Sequence, residues 1–409
     1  MYDYIIIGGG ISGFYCALEI LKHNKEKKVV LCEKYATLGG RISTFHKGDL
    51  QWEAGAGRVS TNHTMLMGLL KKYKHTLYPI EGTLLYKDDC IEPDYFDKTL
   101  DAYIKPLASL DAALLAKYTV KELLIQIHGK EAAETYLDGF PYRAEAEVLR
   151  ADLGIKVLYG EMGPREKYVV SGEGLSDVIV HMKAEFLTAG GTILYNYECL
   201  DIDAKDTVSV TFLTGLRKNP QRTKKILQAK KVICAMESEA LRKIPYFSDF
   251  SVLKHLRMEP LLRTYAVYDK PWFSQLPKIV TQGPLRYFIP VDYKKNIAMV
   301  SYTDSRDTVG FHNILKKFGE ASLGRHIQNL LKKLFGNVPD YTFFKSHYWK
   351  YGATYWLPGD YDPYEESRKS LKPFGEKEVY VVGESFSLKQ AWIEGSLEQS
   401  KKLFDNYRI

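Results

Sequence analysis

The chain has 409 residues, of which 45% are hydrophobic; at about 100–200 residues per domain, two domains with full cores are expected. The net charge of +7 comes from 57 basic and 50 acidic residues spread along the chain, with Lys-rich stretches only near residues 22–28 and 224–231, which argues against nucleic-acid binding. Five widely spaced cysteines suit a reduced, cytoplasmic protein; no secretory leader or lipidation address is expected, and no apolar run approaches the roughly 18 residues of a membrane span.

Tyr2–Ile7 is an aromatic and β-branched run that predicts a strand. It passes through a Gly-rich turn into an Ala/Leu-rich helical pattern ending near Leu21, and residues 29–32 predict a second strand. This βαβ unit opens a doubly wound α/β domain. Residues 76–164 are expected to be helical, with a capping box at Thr119-x-x-Glu122. A strand returns near Tyr168, Ser171-Gly172-Glu173-Gly174 opens a helix, and β-rich segments follow to Ala235. Beyond Asp249 come strands rich in Tyr and Trp, interrupted by a helical segment over residues 316–335; residues 379–383 form a last buried strand before a loop and helix. The expected fold is α/β, a discontinuous FAD/NAD(P)-binding Rossmann-like domain (residues 1–75, 165–248 and 370–409) with an inserted α+β substrate domain (76–164 and 249–369).

Gly8-x-Gly10-x-x-Gly13 lies between the first strand and helix, the setting in which this motif binds a dinucleotide. Gly8 permits the turn, Gly10 lets backbone approach a pyrophosphate, and Gly13 lets helix and strand pack closely, while Ile11 and Ser12 begin the helix whose positive end meets the phosphates. Glu33, twenty residues beyond Gly13 and followed by Lys34, is placed to accept from ribose hydroxyls.

Leu38-Gly39-Gly40-Arg41 and Val381-Val382-Gly383-Glu384 resemble the two flavin motifs of the flavin amine oxidase superfamily, which includes monoamine and L-amino-acid oxidases. The resemblance extends over residues 168–182 and 199–202. It implies FAD, with Gly40 and Arg41 along the phosphates and ribityl chain, Glu384 accepting ribityl hydroxyls, the backbone of Cys199 reading adenine, and the helix start at Ile393 and Ser396 facing the flavin ring. Residues 351–356 stand where covalent members carry a flavin-linked cysteine; none is present, which implies dissociable FAD.

The same resemblance places Gly55-Ala56-Gly57-Arg58 beside the flavin, where L-amino-acid oxidases use G-x-x-R to hold a substrate carboxylate. A planar guanidinium is the natural bidentate partner for that group. Tyr302 falls where those enzymes place a second carboxylate donor, and Ala391-Trp392 where they line the flavin face; Tyr355 and Trp356 are candidates for an aromatic wall. One position departs from the family: Arg263 stands where most members have a Lys near flavin N5, which leaves the electron acceptor open. The implied reaction converts an amino acid to an imine, then to a 2-oxo acid and ammonia, with oxygen giving hydrogen peroxide.

Three other readings stay open: a monoamine or polyamine oxidase in which Arg58 pairs within the protein, a non-redox FAD protein similar to UDP-galactopyranose mutase, and a silent FAD-binding scaffold. The chain also resembles amine-oxidase homologues of large DNA viruses, which would place it in host cytoplasm or virion. No metal site is expected, and His63, His128, His181 and His347 read as ordinary surface or core residues.

Overall fold

The computed structural model describes residues 1–80, 83–87, 90–93, 95–161, 167–217 and 221–409. A seven-stranded sheet has the order Thr192–Tyr195, Val29–Glu33, Tyr2–Ile7, Thr223–Cys234, Val208–Thr214, Tyr197–Ala204, with Val379–Val381 also paired to Thr223–Cys234. Its parallel strands are covered on both faces, which is why they read as unbroken apolar runs: every residue of Val29–Glu33 is buried. Helices Ile11–His23, Ser176–Thr188 and Ile393–Asn406 cover one face through Phe14, Met182 and Leu397; Phe247, Leu253 and Trp356 belong to the core on the other. The strand ends at Ile7, Glu33, Cys234 and Val381 bring the loops at Gly8, Lys34, Ala235 and Gly383 to one edge.

A second seven-stranded sheet runs Phe343–Trp356, Leu256–Val267, Ile297–Asp304, Tyr287–Asp292, Lys278–Thr281, Thr83–Lys87, Cys90–Pro93. Residues 76–164 therefore open with strands rather than helices. Leu77–Ile80 pairs with Tyr168–Ser171, and Thr83–Lys87 with Lys278–Thr281; partners far along the chain supply what short local runs do not. Helices follow from Tyr95, and the capping box forms, with Glu122 N donating to Thr119 Oγ1 (3.2 Å) and Thr119 N to Glu122 Oε2 (2.8 Å). The segment expected at 316–335 is two helices, Thr308–Phe318 and Glu320–Phe335, separated by Gly319 at φ 81°.

The helical layer docks onto the second sheet where Leu100, Ile104, Tyr136 and Phe140 meet Val280 and Tyr287. Arg143 fastens the contact: its Nε donates to Asp307 (2.9 Å), its Nη2 to Asp138 (2.5 Å), and its backbone N–H to Asp304 Oδ1 (2.9 Å). Asp304 thereby caps the short helix Ala144–Glu147 and fixes Glu145 against the space between the two sheets.

Candidate active site

A cleft of about 2650 Å³ lies along that edge. Its walls include Gly8, Gly10, Ile11, Ser12, Glu33, Lys34, Gly40, Arg41, the whole of Gly55-Ala56-Gly57-Arg58, Cys199, Gly383, Glu384, Ala391, Trp392, Ile393 and Ser396. Arg263, Tyr302 and Tyr355 line it too. Gly13 does not: a Cβ there would lie 2.0 Å from Gly8 O, so it serves helix–strand packing. Trp356 does not either, because adjacent strand residues point to opposite faces, and Tyr355 takes the cleft side. Trp356 is fully buried and donates from Nε1 to Ser387 O (2.9 Å).

At the phosphate end, Gly10 caps Ile11–His23 without a side-chain hydrogen bond, and no acid occupies the first turn. A Cβ on Gly10 would meet nothing closer than Gly39 O at 3.9 Å, so no protein neighbour demands glycine there. Free helix N–H groups facing open space suit a phosphate. Further along, Glu33 accepts from Gly9 N (2.8 Å) and Tyr35 N (2.9 Å), and Lys34 lies 3.9 Å from Glu237. The strand carrying Cys199 shifts register between Cys199 and Asp201, leaving backbone at the wall. Burial pushes the Cys199 thiol up to about 12, so it is chemically quiet.

Glu384, expected to accept ribityl hydroxyls, is held by protein donors. Its Oε1 accepts from Thr354 N (3.0 Å) and Ala391 N (2.7 Å), and its Oε2 from Arg41 Nη1 (2.7 Å) and Thr354 Oγ1 (3.0 Å). A carboxylate offers about four acceptor positions, and all are taken. Glu384 organises its neighbours. It holds Arg41, which also donates to Gly352 O (3.1 Å), and it restrains Ala391, which sits at φ 66°, costly for a residue with a Cβ.

The deep end is built of aromatic rings around two guanidinium groups. Arg58 Cζ lies 4.7 Å from the Tyr142 ring centroid, 4.5 Å from Tyr168 and 5.1 Å from Trp392. Tyr168 and Trp392 stack at 5.9 Å, and His63 meets Trp392 edge-on at 4.9 Å. Arg58 forms no ion pair with a described residue; its charge acts on the surrounding tyrosines and on His63, Glu145 and Lys278. Tyr302 packs edge-on against Tyr142 at 5.3 Å and lies under Arg263, whose Cζ is 5.2 Å from its centroid. Burial pushes the Tyr302 hydroxyl upward, so it keeps its proton and can donate. Arg263 itself donates to Glu53 O (3.4 Å), and a Cβ on Gly57 would meet its Nη1 at 2.6 Å, placing it beneath the Gly55-x-x-Arg58 turn. Burial pushes the Glu53 carboxyl up to about 7.

Sequence reading did not single out Tyr142, Glu145, Lys278 or Asp304, all of which line the cleft. Burial, aided by the Arg58 charge, pushes the Lys278 ammonium down to about 8. Glu145 accepts from Tyr355 Oη (3.2 Å).

The sequence model of the family described as flavin-containing amine oxidoreductase matches residues 11–402. The chain belongs to that family. The structure superposes on a redesigned cofactor-site double mutant of putrescine oxidase (TM-score 0.74, 15% identity, 99% of this chain and 98% of that one). It superposes equally on cyclohexylamine oxidase from Brevibacterium oxydans IH-35A (TM-score 0.75, 20% identity, 98% and 97%). This flavin-dependent amine oxidase uses FAD, and the cleft fits it: an uncapped helix start at Gly10, open space beyond that glycine, and a basic Arg41 at the wall. Among the described cysteines, Cys32 and Cys199 line the cleft, both with thiols that burial raises far above neutral pH. Acid precipitation is accordingly expected to release all flavin into the supernatant as FAD; flavin retained in the pellet would show a covalent link.

Among the described residues no helix is long and apolar enough to cross a membrane, and no group of His, Cys, Asp and Glu could hold a metal ion.

Proposed function

We propose that this amine oxidase acts on an L-α-amino acid, yielding a 2-oxo acid and ammonia through the imine, with oxygen reduced to hydrogen peroxide. The observation that carries this reading is Arg58: a partly buried guanidinium at the cleft wall, gripped by three rings and in no ion pair with a described carboxylate. A cation so placed calls for an anion from the ligand. Tyr302 offers a second donor, and Lys278 adds positive charge to the same wall.

FAD, when bound, supplies the two-electron acceptor for the Cα hydride. The chain's own groups orient and desolvate the substrate. Arg58 and Tyr302 hold the carboxylate, Trp392 and Tyr168 form a dry wall, and Arg263 keeps a fixed positive charge because guanidinium does not deprotonate. In the proposed division of labour, residues 1–75, 165–248 and 370–409 hold FAD and residues 76–164 and 249–369 form the substrate domain, with Arg58, Tyr168 and Trp392 meeting the substrate from the FAD side.

The buried carboxyls of Glu145 and Asp304 favour a second reading, a di- or polyamine substrate. An anaerobic flavin-bleaching screen over the amino acids and common polyamines separates the two. Bleaching by amino acids supports the proposal; bleaching by polyamines alone overturns it.

A further inference from the structure

Glu145 lines the cleft that holds Arg58 and Tyr302, yet it is 6% exposed and its Oε2 has no hydrogen-bond partner among the described residues. Its Oε1 is taken by Tyr355, and it forms no ion pair with a described residue. A buried carboxyl oxygen left unpaired costs about 1–3 kcal/mol, a cost that persists only where something else in the working molecule satisfies it. No hydrogen bond joins it to neighbouring Asp304, whose oxygens accept backbone N–H groups from Arg143 and Ala144.

Thus the cleft wall carries a guanidinium and a carboxyl that sense each other's charge but form no ion pair. Resting on the amino-acid reading above, we infer that Glu145 receives the terminal cation of a basic side chain while Arg58 holds the α-carboxylate, so that the substrate is a basic L-amino acid. The rings of Tyr142, Tyr302 and Tyr355 line the same cleft and suit the aliphatic stem of such a side chain.

The groups facing Glu145 are Asp304 and Tyr302 from one strand, Tyr355 from another, Arg58 from its loop, and the neutral Gln390. Burial, with the Asp304 charge near, holds the Glu145 carboxyl well above the usual carboxylate range. A substrate cation beside it would favour the charged form and so lower it again.

The test is anaerobic flavin reduction in the holoenzyme by L-lysine, by L-norleucine, which lacks only the terminal amine, and by cadaverine, which lacks only the carboxylate. Wild type is expected to prefer lysine over norleucine by at least about tenfold in the second-order rate constant, the value of one charge-assisted hydrogen bond, and Glu145→Gln to erase most of that ratio. Equal or faster reduction by norleucine in wild type, or a Glu145→Gln loss of the same factor on both amino acids, overturns the inference and leaves the amino-acid reading standing. Cadaverine outrunning lysine overturns the amino-acid reading itself. The wild-type ratio decides the matter even if Glu145→Gln fails to hold flavin.

Discussion

Arg58→Ala is expected to slow flavin reduction by an amino acid at least tenfold, because each charge-assisted hydrogen bond to the carboxylate is worth about 1.5–3 kcal/mol. The loss should fall on binding and orientation together. Without the guanidinium the Tyr302 hydroxyl and the charges of Lys278 and Arg263 remain on the cleft wall. Arg58→Lys should recover only part of the rate. An ammonium keeps the positive charge, but it cannot present a planar two-pronged donor, nor stack on Tyr142, Tyr168 and Trp392 as a guanidinium does. Flavin content measured alongside separates this effect from loss of the cofactor, since Arg58 also closes the loop that begins at Gly55.

Glu384→Ala should deplete FAD severely, through its protein partners as well as through any lost ribityl contact. The carboxylate is 4% exposed and joins Arg41, Thr354 and Ala391. Arg41 is 30% exposed, so the stability cost comes mainly from the backbone and hydroxyl donors that Glu384 leaves unpaired, about 1–3 kcal/mol each. Here the loss would free Arg41 from its fixed position and release Ala391 from its left-handed conformation, disturbing the wall beside Trp392. Gly10→Val should deplete FAD for a different reason: its side chain would enter open cleft rather than protein, so the fold survives while the pyrophosphate is excluded. The expected contrast is a lowered melting temperature for apo Glu384→Ala and a nearly unchanged one for apo Gly10→Val. Full flavin content in both variants would place the cofactor elsewhere.

Much of the cofactor cleft was legible because its parts are backbone devices. Gly8, Gly10 and Gly13 mark a turn, an approach and a packing contact that spacing alone reveals, and Glu33 stands at a set distance from them, while Arg41 and Arg58 are implied by the family resemblance. Side-chain partnerships across the chain were not legible. The four donors that occupy Glu384 come from Arg41, Thr354 and Ala391, and no local pattern announces them. Glu145 sits in Ala-Glu-Ala-Glu, a run indistinguishable from a solvated helix turn; only the Asp304 cap and the Arg143 ion pairs turn it inward. Tyr355 and Trp356 both read as wall residues, although a strand can present only one of two neighbours to a given side. The early strands of residues 77–93 were missed because their partners, Tyr168–Ser171 and Lys278–Thr281, lie far along the chain.

The central claim is that Arg58 reads a carboxylate, and the most direct measurement is the ratio of flavin-reduction rates for an amino acid and for its decarboxylated amine, in wild type and in Arg58→Ala. The account predicts that wild type favours the amino acid and that the variant loses this preference, through a fall of at least about tenfold on the amino acid and a much smaller one on the amine. A wild-type preference for the amine, or an equal loss on both substrates, would contradict it.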